Sequence, residues 1–187
     1  MIEDIKAALE VLQKGGIILY PTDTIWGIGC DACNEEAVKR VYAIKKRTDS
    51  KSMLVLMENA SLLDRYVNEV PDIAFDLIEL TNKPLTIIYD GAKNLAKNLI
   101  AEDGSIGIRI TNEAFSSELI RRFKRPIVST SANISGKASP SFFLEIDPEI
   151  VNSVDYVVKF RKEDLSESAP SSIIKLGKGG EIKIIRE

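Results

Sequence analysis

In Ser105-Ile106-Gly107-Ile108-Arg109-Ile110 the isoleucines alternate with Gly107 and Arg109. A period of two marks a strand with one face in a core. The three isoleucines therefore turn inward, and Arg109 looks the opposite way, into a cleft or solvent. Downstream, a helix from about Glu113 to Phe123 carries Leu119, Ile120 and Phe123 on one side, and Pro126 to Ser129 is a short strand opening onto a polar loop. Upstream, Leu85 to Tyr89 and Met53 to Met57 read as strands, with a helix from Pro71 to Thr81 between them. The N-terminal part repeats the alternation. Ile5, Leu9 and Leu12 recur at helical spacing before the Gly15-Gly16 stop, and Ile17 to Tyr20 is a buried strand. Thr22 to Asp31 reads as a loop. Asn34 caps a helix with Glu35 and Glu36 in its first turn and Val38, Val41 and Tyr42 on its apolar side.

Later strands are expected at Val154 to Lys159, Ser172 to Leu176 and Ile182 to Arg186, the last two joined by a hairpin at Gly177 to Gly180. Lys162 to Ser171, rich in charge and serine, reads as a mobile connection. Because the late strands lack intervening helices, the expected fold is α/β with a mixed sheet. With 187 residues, of which 44% are hydrophobic and 28% charged, the chain reads as one soluble domain over residues 1–187. Its apolar runs are far shorter than the roughly 20 residues that span a bilayer, so no membrane contact is expected. The acidic start at Glu3 and Asp4 lacks the pattern of a signal peptide, which makes a cytoplasmic location the expectation.

The chain has no histidine. Ser-His-Asp and Cys-His catalysis and histidine-ligated metals are thereby excluded. Cys30 and Cys33 form a lone Cys-x-x-Cys that could be a redox pair, half of a zinc site, or two small residues in a turn. Chemistry must run on charge, hydroxyls, carboxylates or a metal that a ligand brings.

A net charge of −3 argues against a generally basic nucleic-acid binder, yet the cations are clustered. Lys39, Arg40, Lys45, Lys46, Arg47 and Lys51 surround the single acid Asp49, and Arg121, Arg122, Lys124 and Arg125 form a second knot. Each cluster could hold an anion. The first could equally decorate a helix C-terminus, where cations suit the dipole. On the reading that Lys45 and Arg47 are exposed, alanine at both should lower nucleotide affinity and leave the melting temperature nearly unchanged. Ser129-Thr130-Ser131-Ala132-Asn133 places three hydroxyls and an amide at the end of a buried strand. It can offer donors to phosphate oxygens, or it can be a turn with local capping bonds. Neither a Walker A loop nor a Gly-x-Gly-x-x-Gly turn is present.

Five motifs occur in order: Tyr20-Pro21-Thr22-Asp23-Thr24, Lys45-Lys46-Arg47, Gly107-Ile108-Arg109, Ser131-Ala132-Asn133-Ile134-Ser135-Gly136 and Ser139-Pro140-Ser141. Together they resemble the YrdC family of threonylcarbamoyl-adenylate synthases, from Gly15 to Arg186. The resemblance implies a YrdC-like twisted mixed sheet flanked by helices, with a concave, positively charged face. It also implies a nucleotidyltransferase that joins L-threonine, bicarbonate and ATP into threonylcarbamoyl-AMP and pyrophosphate. A tRNA-modification transferase complex then loads the group onto adenosine 37 of tRNA.

By the same resemblance Lys45 and Arg47 are the catalytic cations, and Arg47, Lys51, Ser105, Asn133, Ser141 and Arg186 are ATP-binding. Thr24, Arg109, Ser131 and Ser171 match the threonine-binding positions. Mg²⁺ is expected with ATP, held mainly by its phosphates, with no metal ligated by the protein. Leu56 stands where many members place a histidine near threonine, and Thr48, Ser52, Thr111 and Thr130 stand at common proline positions. With the sequence running to Glu187, the extra C-terminal domain of longer members is not expected. The alternative reading is a YciO-like member that binds double-stranded RNA, tRNA or the ribosome without synthase activity.

Overall fold

A computed structural model describes residues 1–46, 53–166 and 169–187. The helices are α1 (Ile2–Gln13), α2 (Glu35–Ile44), α3 (Ile73–Leu80), α4 (Ala114–Phe123) and α5 (Pro148–Ser153). The strands are β1 (Ile18–Tyr20), β2 (Gly27–Gly29), β3 (Leu54–Met57), β4 (Leu85–Tyr89), β5 (Ile106–Ile110), β6 (Ile127–Ser131), β7 (Tyr156–Val157), β8 (Ser172–Leu176) and β9 (Ile182–Arg186). Among the described residues they form one sheet in the order β7-β1-β2-β6-β3-β5-β4-β8-β9. The pairs β1–β7, β3–β5 and β4–β8 are parallel and the others antiparallel. The fold is thus the mixed α/β sheet flanked by helices that the order of elements predicts.

Strand alternation divides the core in two. Ile17, Leu19, Val55, Met57, Ile87, Tyr89, Ile106 and Ile108 face a large cluster that includes Ala37, Val38 and Val41 of α2, Ala74 of α3 and Ile150 of α5. Ile18, Tyr20, Leu56 and Ile127 face the other way, against Ile5, Ala8 and Leu12 of α1 and Phe115, Leu119, Ile120 and Phe123 of α4. On this second side α1 and α4 pack over β1, β3 and β6. Towards β4, β5, β8 and β9 the same side carries Thr86, Arg109 and Arg186, and there a cleft opens.

The caps explain the helix positions. The Asn34 side chain accepts from the Glu36 and Ala37 amides, and Glu113 accepts from Ser116 N at 2.7 Å, which starts α4 one residue later than expected. Lys124 closes α4 in the left-handed conformation at φ 61°.

β2 departs from the loop expected between Thr22 and Asp31. Its glycines hide the strand pattern because backbone and ring crowd them. A Cβ on Gly29 would lie 2.6 Å from Tyr20 Cε1 and 2.8 Å from Val128 O. Pairing with β2 also lengthens β6, as Gly27 opposes Ser131 and Ile28 opposes Thr130. α3 begins at Ile73, two residues after Pro71, and β7 keeps only Tyr156–Val157 of the longer strand expected. The short helix α5 and the 3-10 turns at Ala60–Arg65 and Phe143–Glu145 were not anticipated.

Candidate functional site

Arg109 reaches the cleft because β5 alternates, and it is 3% exposed there. Its Nη2 lies 3.3 Å from Thr24 Oγ1 and 2.9 Å from Asp23 Oδ1. The contact with Asp23 is close but poorly aligned: Asp23 Oδ1 and Arg109 Nε have no hydrogen-bond partner among the described residues. Burial pushes the Asp23 carboxyl above the usual carboxylate range, and the neighbouring guanidinium only partly offsets this. An orphaned, buried guanidinium N–H is a donor prepared for an oxyanion.

The cleft, about 180 Å³ in volume, is lined by Thr24, Trp26, Arg109, Ser129, Thr130, Ser131, Ser139, Pro170, Ser171 and Arg186 among others. Arg186 comes from the edge strand β9. Its Nε and Nη2 donate to Ser171 O at 2.9 and 2.6 Å, while the Ser171 and Thr86 hydroxyls share a 2.8 Å hydrogen bond. Partial burial and the nearby Arg109 both pull the Arg186 pKa down, as two adjacent guanidiniums should. One wall of the cleft is therefore cationic and the floor is hydroxylic. That combination can align a carboxylate with phosphate oxygens and neutralise developing charge.

Lys45 differs from the exposed helix-end cation expected. It is 3% exposed, and its ammonium donates to Ser131 O at 2.6 Å, Asn133 O at 2.8 Å and Asn133 Oδ1 at 3.3 Å. Its own carbonyl accepts from Ser135 N at 2.9 Å. Lys45 of the Lys-x-Arg motif thus meets the Ser-x-Asn motif in space and clasps its loop. Asn133 adds bonds from its Nδ2 to Ile134 O and Lys137 O.

Arg47 and Lys51, with Thr48 and Ser52, lie outside the described residues. Ser105 sits at the opposite end of β5 from Arg109, roughly 13 Å away at about 3.3 Å per residue, and donates to Asp103 Oδ1 at 2.5 Å. Ser141 lies beside a smaller neighbouring cleft, which shares Thr24, Ile25 and Trp26 with the main one. Leu56 opposes Arg109 across β3–β5 and is fully buried against the α1 and α4 side chains.

Sequence reasoning left Asp23, Trp26 and Thr86 without a role. Thr86 was within reach of it: β4 pairs it with Arg109 on one side and with Ile173 on the other.

Other cations of the two basic clusters meet acids. Arg40 pairs with Asp155 and Lys46 with Glu149. Arg121 and Arg122 both meet Glu118, and Arg125 meets Asp31. Burial pushes both thiols up, Cys33 to about 11, which keeps them protonated and poor nucleophiles at neutral pH.

The chain matches the family model Sua5_yciO_yrdC, described as "Telomere recombination", over residues 10–187. A "Threonylcarbamoyl-AMP synthase" of Pseudoalteromonas translucida is 33% identical over 181 residues, which is 95% of this chain and 95% of that one. A protein of the same name from Pseudomonas aeruginosa is 31% identical over 161 residues, 84% of this chain and 86% of the other. Among solved structures, E. coli YciO superposes with a TM-score of 0.83 at 25% identity, covering all of this chain and 90% of YciO. P. abyssi Sua5 complexed with L-threonine superposes with a TM-score of 0.82 at 24% identity, a likeness of fold. The alignment covers 92% of this chain and 50% of that Sua5, so the chain spans about half its length.

Proposed function

The chain belongs to the Sua5–YciO–YrdC family, and from that premise we propose that it is a threonylcarbamoyl-AMP synthase, a nucleotidyltransferase using L-threonine, bicarbonate and ATP. The observation that carries this reading is the orphaned, buried Nε of Arg109 beside the hydroxyls of Ser129, Thr130 and Ser131. A carboxylate is the ligand such a guanidinium recognises best. Threonine's carboxylate pairs with Arg109, and Thr24, Ser131 and Ser171 hold the rest of the amino acid. The amine captures carbon dioxide as a carbamate. A carbamate oxygen then attacks the α-phosphorus of ATP, a P–O bond forms, and the bond to the departing pyrophosphate breaks.

The protein's part is alignment and charge neutralisation, which needs no histidine. Lys45 acts through the loop: its ammonium fixes Ser131 and Asn133, so the two motifs work as one unit. Arg47 and Lys51 supply further phosphate contacts, with Arg186, Ser105, Asn133 and Ser141 along the nucleotide. A Mg²⁺ held mainly by the phosphate oxygens of ATP would supply charge neutralisation there, while the guanidiniums and hydroxyls of the cleft would bind anionic oxygens and not the cation itself. The adenylate passes to a tRNA-modification transferase complex in the cytoplasm. Among the described residues no helix is long and apolar enough to cross a membrane.

The test is pyrophosphate release by the full chain with ATP, Mg²⁺ and bicarbonate, with and without L-threonine. Threonine-dependent release is the expected result. Release equal to that of the threonine-free control, by folded protein, would reject the reading. Salt-sensitive RNA binding without turnover would favour the RNA-binding alternative.

A further inference from the structure

Two guanidiniums at one end of a cleft ordinarily make a phosphate site. Here Arg109 and Arg186 line the same cleft, yet Asp23 stands against the first. The Asp23 side chain is 16% exposed and its Oδ1 lies 2.9 Å from Arg109 Nη2. A purely structural pair at such burial would close into two aligned hydrogen bonds, since each orphaned group costs desolvation free energy. Instead Asp23 Oδ1 and Arg109 Nε both lack a hydrogen-bond partner among the described residues. The contact neutralises charge and leaves a donor open.

The loop that carries Asp23 is held on both sides. Thr22 Oγ1 donates to Ile25 O at 2.8 Å and accepts from Thr24 N at 3.1 Å. Thr22 O accepts from Arg161 Nη1 at 3.1 Å. Asp23 therefore stays beside Arg109 when a ligand enters. Glu113 lines the adjoining cleft with Asp23, but Arg161 Nη1 lies 3.9 Å from its Oε1 and offsets its charge there. Arg109 and Arg186 together carry two positive charges, and Asp23 reduces them to one. That remainder matches a monoanion and is too small for the oxygens of a di- or triphosphate; Asp23 acts on it through Arg109, from the adjoining cleft.

The geometry points to Asp23 as a specificity-determining residue that reserves Arg109 for a monoanionic carboxylate and turns phosphate oxygens away from that end of the cleft. The amino acid's carboxylate and the phosphates of ATP, both needed at once, are thereby sorted without competing for one arginine. This inference rests on the proposed function, in which Arg109 takes the amino acid's carboxylate.

The experiment is an equilibrium titration of L-threonine into the full chain at several fixed concentrations of pyrophosphate, for the wild type, Asp23→Asn, Asp23→Ser and Asp23→Glu. In the wild type and Asp23→Glu, pyrophosphate should leave the threonine Kd unchanged. In Asp23→Asn and Asp23→Ser the extra unit of positive charge admits pyrophosphate at Arg109. The apparent threonine Kd should then rise in proportion to pyrophosphate, about tenfold when pyrophosphate stands at about nine times its own Kd. The serine variant gives the same reading if the asparagine variant does not fold. Insensitivity of a folded neutral variant overturns the inference alone, as does a wild type whose threonine binding pyrophosphate already competes. A wild type that binds no threonine overturns both this inference and the functional reading on which it rests.

Discussion

Replacing Lys45 by methionine removes an ammonium while keeping most of the side chain's length and apolar stem. Lys45 is 3% exposed, and its ammonium donates to Ser131 O, Asn133 O and Asn133 Oδ1. Each charge-assisted bond is worth about 1.5–3 kcal/mol, but two of the three fall on one residue. The desolvation of the buried charge is also recovered when the charge is removed. The net loss comes to about 3 kcal/mol, because the Ser131 and Asn133 carbonyls are left without their donor. For a chain of 187 residues, each kcal/mol moves the melting temperature by about 2–4 °C. Circular dichroism melts should therefore show Lys45→Met unfolding about 6–12 °C below the wild type. A drop under about 2 °C would mean that the ammonium is not bonded to the loop in solution, and the account of Lys45 as a loop clasp would fail.

Three further outcomes follow from particular contacts. Asp4 accepts from Tyr156 OH at 2.6 Å, Lys159 N at 3.0 Å and Phe160 N at 3.1 Å; burial opposes these bonds, but they hold its carboxyl below the usual range. A folded-state pKa depressed in this way gives stability that is present above the ordinary carboxylate pKa and lost as pH falls through the lower value. Asp4→Asn should thus cost about 1–2 kcal/mol in urea unfolding at pH 7, with the gap to the wild type closing as the pH falls below the ordinary carboxylate range. Gly29→Ala, whose new Cβ would meet Tyr20 Cε1 at 2.6 Å, should lower stability by about 1–3 kcal/mol by the same assay. Arg109→Lys removes the Nε donor and the planar fork, so threonine affinity in calorimetry should fall about 10- to 100-fold while ATP affinity changes little; equal threonine affinities would contradict the carboxylate assignment.

Much of the fold could be read from period and punctuation. The alternation in residues 105–110 placed Ile106 and Ile108 in the core and Arg109 on the cleft side, and Asn34 announced α2 by its cap. β2 was illegible because Gly27 and Gly29 carry no side chain to alternate. Their reason for being glycine, the approach of Tyr20 and Val128, lies in other parts of the chain. The 3-10 turn at Phe143–Glu145 and α5 are too short for a helical period to repeat.

At the site, composition and motif order pointed to hydroxyls and cations in one place. Thr24, Arg109, Ser131, Ser171 and Arg186 indeed line one cleft. What the residue order cannot convey is which way a long side chain runs. Lys45 reads as a helix-end charge, yet it turns inward onto carbonyls more than 80 residues away in the chain. Asp23 stood inside a recognised motif, but its charge contact with Arg109 exists only once β1 and β5 share a sheet.

The most direct measurement follows radiocarbon-labelled bicarbonate through the reaction of the full chain with ATP, Mg²⁺ and L-threonine, with products resolved by chromatography. Label should appear in a nucleotide-linked product only when threonine is present, and the Arg109→Lys variant should need far more threonine to form it. Label entering no adenylate, or entering one equally well without threonine, would contradict the account.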